Sequence, residues 1–455
     1  MAISSIGVGS GLPLSELLDN LQSTLQSQRL APLENRQKSV DARITAYGQL
    51  KSELNNVSNA AKALLQDAFD SMQVTVTGSD FTASAKTGSM TGNYTVKVNS
   101  LAKAQSLVTA GQASRTADIG TGGVISFTIN GQTKQVDLST TGTSLEDVAA
   151  AINSTEGLGV QATILNNGSG TPHQLVLSSK TTGTEAAVTN ITVTGNDDLA
   201  TVLNFGSAGS TVTESPAANA SLEVNGVAVS SQSNTVSGVL DGVTLTLTGS
   251  SGSSNSMSIS GDSKAVKDAI QTFVDRYNDV LKKIKQVTAF DVENQTSSAL
   301  TGDSIARSIQ SRLATVLNTT QSDGAFQMLS EIGIRTDPIT GQLKVDNAVL
   351  DKALLEKPAD VQALFRGENG VANRAIDVAK IFTDNTDGVL ATATEGANRT
   401  RKDLERQLAA QEARIEAQME AYRKQFSALD AMIAQMNSTS SYLAQQLSQL
   451  GTKNS

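Results

Sequence analysis

Apolar side chains recur at helical spacing through the first part of the chain, from about residue 12 to residue 70. Leu14, Leu18, Leu21 and Leu25 lie three or four positions apart, which is typical of one face of an amphipathic helix. A second stripe with the same spacing consists of Val40, Ile44, Tyr47, Leu54, Val57, Ala61 and Leu64. Pro32 lies between the two stripes and marks a break. The pattern therefore predicts two tandem helices, each with one polar face.

At Met72 the hydrophobic period changes from helical spacing to alternation, as in "MQVTVTG", "NYTVKVNSL" and "HQLVLSS". Alternation between Gly-rich turns predicts β-strands as far as about residue 260. Asn130-Gly131 and Asn225-Gly226 each lie between two alternating runs. Both positions of such a turn need a positive φ, which Asn and Gly tolerate, so each pair predicts a hairpin.

Residues 122–178 read as strand, strand, helix, strand, strand. The helix is "TSLEDVAAAINS", with Thr143 or Ser144 as a candidate N-cap. We interpret this order as one compact α+β insert. The runs "NFGSAGSTVTESPAANA" and "GSSGSSNSMS" contain few core-forming residues, so we expect linkers or loops there.

Helical spacing returns at Ser263 and predicts a long helix whose apolar face ends near Ile284. Asp303 is a candidate cap for the next helix, and Gly341 closes the turn of a small hairpin that precedes two short helices. Helices therefore flank the β region on both sides. This order predicts one helical domain into which the β domains are inserted.

The last helix has the most regular pattern. From Leu408 to Leu450 the seam positions alternate four and three residues apart, and only Glu412 and Ser440 among them are not apolar, as in a coiled coil. No charged residue lies between Asp430 and Lys453. Because a long apolar seam needs a surface to cover it, we predict that both chain ends lack cover within the subunit. We expect them to be disordered in the free subunit and ordered on assembly.

We predict that the apolar stripes at the two chain ends form the assembly or partner contacts. The residues assigned to these contacts are Leu14, Leu18, Leu21, Leu25, Tyr422, Phe426, Leu429, Ile433, Met436, Leu443, Leu447 and Leu450.

The composition includes few of the residue types that enzymes use for catalysis. The chain of 455 residues has no cysteine and one histidine, His173, whose setting before a strand favours a surface position over a general base. Gly7, Gly9 and Gly11 follow no strand, so a phosphate loop is not expected. The "DPITGQLKVD" turn lacks the carboxylates of a calcium loop. We predict no enzyme activity, no catalytic residue, no metal site and no cofactor.

Charge and hydropathy narrow the partners. The net charge is -9, and because no Lys/Arg cluster appears, nucleic acid is not expected. No stretch is apolar enough for a membrane span, and the first residues lack the pattern of a cleaved secretory signal. An export route without a cleaved signal remains compatible with this start.

Several segments together resemble the flagellar filament cap protein family, also called hook-associated protein 2. They are "ISSIGVGSGLPLSELLDNLQ", "ITAYGQLKSEL", "FVDRYNDVLKKI", "LTGDSIARSIQSRL", "IGIRTDPITGQLKVD" and "QFSALDAMIAQMNSTSSYLAQQL". The insert "ISFTINGQTKQVDL" with "SLEDVAAAIN" is similar to a repeat that flagellins and cap proteins share. Pro13 departs from the family pattern, in which an aspartate often follows Gly-Leu, and this affects only the cap of the first helix.

The resemblance implies an α+β multidomain fold. It would have a helical coiled-coil terminal leg (1–41 with 415–455), a mixed helical domain (42–72 with 263–414) and inserted β-rich head domains (73–105 with 216–262, and 106–215). It implies a secreted structural protein that caps the distal tip of the filament and promotes insertion of exported flagellin. A tip-located adhesin for host mucin or glycans, and a related hook-filament junction protein, are the alternatives.

The resemblance also implies partners and a location. They are a ring-shaped homo-oligomer, flagellin, the hook-filament junction proteins and a flagellar export chaperone. The expected location is the extracellular flagellar tip, reached through the flagellar type III channel.

Overall fold

The structure is a computed structural model that describes residues 10–317 and 324–451, without the side chains of residues 448–451. The chain divides into two compact units. One is helical and comprises the chain up to Ala68 and from Ser263 onward, and the other is β-rich and spans Phe69–Asp262. The mixed helix-and-strand fold class predicted above is confirmed. The finer division into four parts stays a prediction.

Two helices open the described chain. Helix α1 spans Leu14–Arg29 and α2 spans Ala31–Ala63, followed by a π-helical turn at Leu64–Ala68. The break falls at Leu30, and Pro32 stands in the first turn of α2, where the N–H that proline lacks has no helical acceptor in any case. The predicted tandem helices are confirmed.

The β-rich unit contains antiparallel sheets and two short helices. Its elements are β1 Met72–Val76, β2 Phe81–Ala85, β3 Gly92–Ser100, β4 Ser106–Val108, β5 Val124–Ile129, β6 Gln132–Asp137, α3 Leu145–Ser154, β7 Val160–Asn166, β8 His173–Ser179, β9 Val188–Thr194, α4 Asp197–Leu203, β10 Thr213–Ser215, β11 Ala220–Val224, β12 Val227–Ser231, β13 Thr235–Ser237, β14 Val243–Leu247 and β15 Ser254–Gly261. The sheet orders are β1-β15-β3-β11-β12, β13-β14-β2, β10-β4-β8-β7 and β6-β5-β9.

The β-rich unit has two separate apolar cores. One gathers side chains such as Phe81, Val98 and Leu222 from the sheets at the two ends of the unit's sequence. The other gathers Phe127, Leu145 and Leu175 with their neighbours from the intervening insert. Each core is closed on its own, so the insert has the packing of an independent α+β layer structure.

Both Asn-Gly hairpins are confirmed. Asn130 and Gly131 have φ of 48° and 74°, and Asn225 and Gly226 have φ of 51° and 80°, the left-handed region that this turn requires. The strand-strand-helix-strand-strand order of the insert is also confirmed, and Ser144 is the N-cap of α3, because its side chain accepts a hydrogen bond from the Asp147 N–H.

The prediction of linkers in the Ser/Gly-rich runs is wrong in two places. Strand β10 lies within the first run and pairs with β4. Strand β15 begins within the second run and lies between β1 and β3. Small polar side chains form few packing contacts, but the backbone hydrogen bonds of neighbouring strands hold these segments in the sheets.

The second half of the helical unit starts with the predicted long helix. Its elements are α5 Ser263–Thr288, β16 Phe290–Asp291, β17 Thr296–Ser297, α6 Ser304–Leu317, β18 Ile334–Thr336, β19 Leu343–Val345, α7 Asn347–Glu356, α8 Pro358–Arg366, α9 Val371–Thr383 and α10 Val389–Gly451. As predicted, Asp303 caps α6 by accepting hydrogen bonds from Ile305 and Ala306 N–H. The β18–β19 hairpin closes with Gly341 at a φ of 71°.

Two sequence segments that are far apart in the chain meet in the helical unit. The Tyr47 hydroxyl of α2 donates a hydrogen bond to Asp303 Oδ2 at 2.7 Å, and Arg43 lies 3.6 Å from the same carboxylate. Burial and the bond to Asp303 raise the pKa of Tyr47. Because Asp303 also caps α6, this contact joins the interior of α2 and the N-terminus of α6 to one carboxylate.

Tyr277 lies on the buried face of α5 and makes the stability of the helical unit dependent on pH. Burial raises the pKa of Tyr277 to about 12. A pKa raised by folding gives stability that is complete below the unfolded pKa near 10 and is lost as the pH rises toward 12. We predict that in the Tyr277→Phe protein the free energy of unfolding falls by about 2 kcal/mol less between neutral and alkaline pH than in the parent.

Urea denaturation followed by circular dichroism at neutral and alkaline pH measures the difference. Tyr442→Phe, at an exposed tyrosine of α10, is the matched control and should retain the full alkaline loss. An equally steep loss in the Tyr277→Phe protein would contradict the prediction.

Candidate assembly surface

Helix α1 packs along the C-terminal helix of its own chain. Leu18, Leu25 and Leu30 are buried against Ile415 and Met419 of α10. Leu21, Leu408, Tyr422 and Phe426 are partly buried around them. These side chains form one apolar cluster between two helices, which we call the leg cluster.

Polar contacts flank the leg cluster. An Arg29 N–H donates to Gln418 Oε1 at 3.3 Å, and the Gln418 amide donates to the Tyr422 hydroxyl at 2.9 Å. Further along α10, the Ser10 backbone N–H donates to Asp430 Oδ1 at 2.7 Å. The contacts extend from the last residue of α1, Arg29, to Ser10, four residues before α1 begins, so they fix the register of α1 on α10.

The expectation that neither end has cover within the subunit is wrong for α1. Leu14, Leu18 and Leu25 are buried, and the leg cluster shows that α10 supplies the cover for Leu18 and Leu25. Two amphipathic helices can each bury the apolar face of the other, as in an antiparallel helix pair. The sequence pattern could not identify this partner, because a stripe shows that cover is needed and not what provides it.

Toward the C-terminus of α10 the cover stops at the level where α1 begins, and most apolar side chains beyond that level are exposed. Ile433 is half-buried, but Leu429 is 40% exposed, Met436 64% and Leu447 68%. Leu443 is exposed as well, and the Leu450 side chain lies outside the described residues. Met432, Met436, Leu443 and Leu447 border one shallow surface with Thr439 and Ser440 between them. We call this surface the open stripe.

The open stripe departs from the predicted seam in one respect. Its members include Met432 in place of Ile433. A straight α-helix has 3.6 residues per turn and drifts about 20° per heptad from a seam of period 3.5. On a helix that does not supercoil, the exposed face therefore shifts from Ile433, which is half-buried, toward Met432, which is exposed. The drift could have been anticipated from the period alone.

Charge changes along α10 at the same place as cover. Before residue 425, ion pairs such as Arg399–Glu395 at 3.8 Å and Lys424–Glu420 at 2.9 Å line the helix surface. The Lys424 ammonium lowers the pKa of Glu420. From residue 431 to residue 452 the sequence has no charged side chain, so the open stripe can be desolvated without burying an ion.

The geometry offers little for chemistry. His173 begins strand β8, and its backbone N–H donates to the Gln112 carbonyl at 3.1 Å. Across residues 10–317 and 324–451, no three His, Cys, Asp or Glu residues are grouped to hold a metal ion. The helices within these ranges also include none with the length and hydropathy of a membrane span.

Three family models match the chain. Those for the N-terminus and C-terminus of flagellar hook-associated protein 2 match residues 10–105 and 217–438, and the flagellin hook IN motif matches residues 125–181. The chain is similar to flagellar hook-associated protein 2 of Escherichia coli K12, at 34% identity over 98% of both chains. It has the same identity and coverage with the Salmonella typhimurium protein.

A solved structure has a similar fold. The D1-D2-D3 domains of the flagellar cap protein FliD from Escherichia coli match with a TM-score of 0.66 and 30% identity, covering 78% of this chain and 99% of that one.

Two methionines of α10 allow a matched test of the leg cluster. Met419 is 2% exposed within the cluster, whereas Met436 is exposed on the open stripe. We predict that Met419→Ala weakens the α1–α10 contact by about 2 to 4 kcal/mol through lost burial and a cavity. Limited trypsin digestion at Arg29 of the full chain should then be faster by at least about tenfold. The Met436→Ala protein should be cleaved at the parent rate. Equal cleavage rates for both variants would contradict the role of the leg cluster in holding α1.

Proposed function

The chain belongs to the flagellar hook-associated protein 2 family, and from this premise we propose that it caps the distal tip of the flagellar filament through the open stripe of α10. It is a structural protein of the flagellum. Its task at the tip is to promote the insertion and polymerisation of exported flagellin, with the C-terminal end of α10 in contact with neighbouring subunits.

One observation carries this assignment of the contact surface. The open stripe combines exposed Met432, Met436, Leu443 and Leu447 with a helix segment that carries no charge. Large apolar side chains on a face without charges are typical of a surface that is covered in an assembly. The matching face nearer to the start of α10 is already occupied by α1, so the stripe is the part of the seam left for another chain.

The predicted contact residues divide into two roles. Leu18 and Leu25 are buried under α10, and we propose that they position the helix and do not touch a partner. Leu429, Met436, Leu443 and Leu447 are exposed, and we propose that these form the outer contact. The natural occupant is an amphipathic helix of flagellin, because such a helix covers a stripe of this length with its own apolar face.

The size of the open stripe favours several simultaneous contacts. Burying its four large side chains would contribute about 6 to 12 kcal/mol at ~1.5 to 3 each. Association itself costs about 4 to 15 kcal/mol, so a single contact would be weak. A ring of several copies makes the later contacts intramolecular and strengthens the whole. We therefore propose a homo-oligomeric cap.

Further partners follow from the same surface. Exposed before assembly, the stripe would favour aggregation, and we propose that a flagellar export chaperone covers it in the cell. Passage through the flagellar type III channel and contact with hook-filament junction proteins belong to the same proposal. The relatives compared above are cap or hook-associated proteins, and we propose neither an adhesin nor a junction protein.

The experiment compares two double variants of the full chain for binding to filament ends. Leu443→Ala with Leu447→Ala removes apolar area from the open stripe. Ser438→Ala with Ser441→Ala alters exposed positions of the same helix off the stripe. Gold-labelled protein is mixed with filaments of the cognate flagellin, and labelled ends are counted by electron microscopy.

We expect the leucine variant to label ends at least about tenfold less than the parent, because each truncation removes apolar burial. The serine variant should label ends like the parent. Undiminished labelling by the leucine variant would contradict the role of the stripe, and absence of end labelling by the parent chain would contradict capping.

A further inference from the structure

Burial along α2 changes abruptly at Ala46. From Ala31 to Thr45 its side chains are exposed or half-buried, whereas Ala46, Tyr47, Leu50 and those that follow at the same spacing are buried. At Tyr47 the helix is also held to α6 by the bond to Asp303. The packed core of the helical unit therefore stops at this level. The earlier part of α2 continues beyond it and contacts α10 through the Asp41–Arg401 ion pair.

Each of these two long helices has a glycine in its interior. Gly48 lies in α2 and Gly396 in α10, and a Cβ added at either position would meet no atom within 4 Å. Close packing therefore does not require glycine at either site. Because glycine weakens a helix interior relative to alanine, each helix is less stable at this position than its packing requires.

The two glycines lie at nearly the same level. Helices α2 and α10 run antiparallel. Asp41 pairs with Arg401 of α10 at 3.9 Å, and Lys51 donates at 2.7 Å to Asn385, which lies four residues before α10 begins. Because the helices are antiparallel, a step forward along α2 matches a step backward along α10. Gly48 lies seven residues after Asp41, and its counterpart seven residues before Arg401 is Thr394. Gly396 is two residues from Thr394, or about 3 Å along the axis at 1.5 Å per residue.

Threonine hydroxyls at this level also donate hydrogen bonds to backbone carbonyls of their own helices. The Thr45 hydroxyl donates to the Asp41 carbonyl at 2.9 Å in α2. In α10 the Thr394 hydroxyl donates to the Leu390 carbonyl at 2.7 Å, and the Thr400 hydroxyl to the Gly396 carbonyl at 3.1 Å. Bonds of this kind to the residue four positions earlier weaken and bend helices.

We propose that Thr45–Gly48 and Thr394–Thr400 form a shared hinge, at which the α2–α10 pair bends relative to the packed part of the helical unit. The burial break, the unneeded glycines and the threonine bonds coincide at one level of two different chain segments. A bend of one helix alone would strain the other, and two soft segments side by side avoid that strain. The hinge is a property of the free chain and does not depend on capping.

Spin-label distances in the full chain test the hinge directly. The chain has no cysteine, so labels can be placed at Gln310→Cys on α6 and Gln407→Cys on α10, on either side of the proposed hinge. Labels at Gln286→Cys and Gln310→Cys, both in the packed part, give the reference width. The stiffened protein carries Gly48→Ala and Gly396→Ala, and Ser39→Ala is the matched control at an exposed position of α2 away from the hinge.

We expect a broad distance distribution across the hinge in the parent and the Ser39→Ala protein, narrowed about twofold in the double alanine variant because alanine stiffens both helices. The reference pair should remain narrow in all proteins. A cross-hinge distribution as narrow as the reference in the parent, or an unchanged width in the double variant, would overturn the hinge. Neither result bears on end binding, so the capping proposal would stand or fall separately.

Discussion

The exposure of the end of α10 depends on one apolar contact, the packing of α1 against α10 in the leg cluster. Ile415 and Met419 are covered by leucines of α1, and this cover stops near Asp430, where Ser10 is held. Within the described residues, α1 covers the seam of α10 at the leg cluster and leaves the segment from Met432 to Leu447 largely exposed. The boundary between what the chain covers itself and what it leaves for assembly is therefore set by the length and register of α1.

This boundary explains why charge disappears from the end of the chain. The ion pairs of α10, such as Lys424–Glu420, lie on the segment before residue 425. Their side chains are exposed to solvent there. Beyond Asp430 a charge would have to be desolvated when a partner covers the helix, at a cost that exposed pairs do not carry. The family's role as a filament cap fits an end of this kind. A hinge at the level of Gly48 and Gly396 would let that end of the α2–α10 pair adjust its direction.

Much of the local structure could be predicted from the sequence because its causes are local. The positive φ of Asn130 and Asn225 follows from tight turn geometry, and the caps at Ser144 and Asp303 follow from unsatisfied helix N–H groups. The hydrophobic periodicity alone could not assign Met419 as cover for Leu18, because the two residues are about 400 positions apart and a stripe does not identify its partner. Only the family resemblance implied a leg that pairs the two chain ends. Strand β10 was missed for the same reason, since its order comes from pairing with β4 and not from its own composition.

Hydrogen exchange measured by mass spectrometry along α10, in the free full-length chain and in the chain bound at filament ends, tests the central account most directly. The account predicts protection around Ile415 and Met419 in both states, and protection of the segment from Met432 to Leu447 only when bound. Protection of that last segment already in the free, dilute chain, or no gain of protection there on binding, would contradict it.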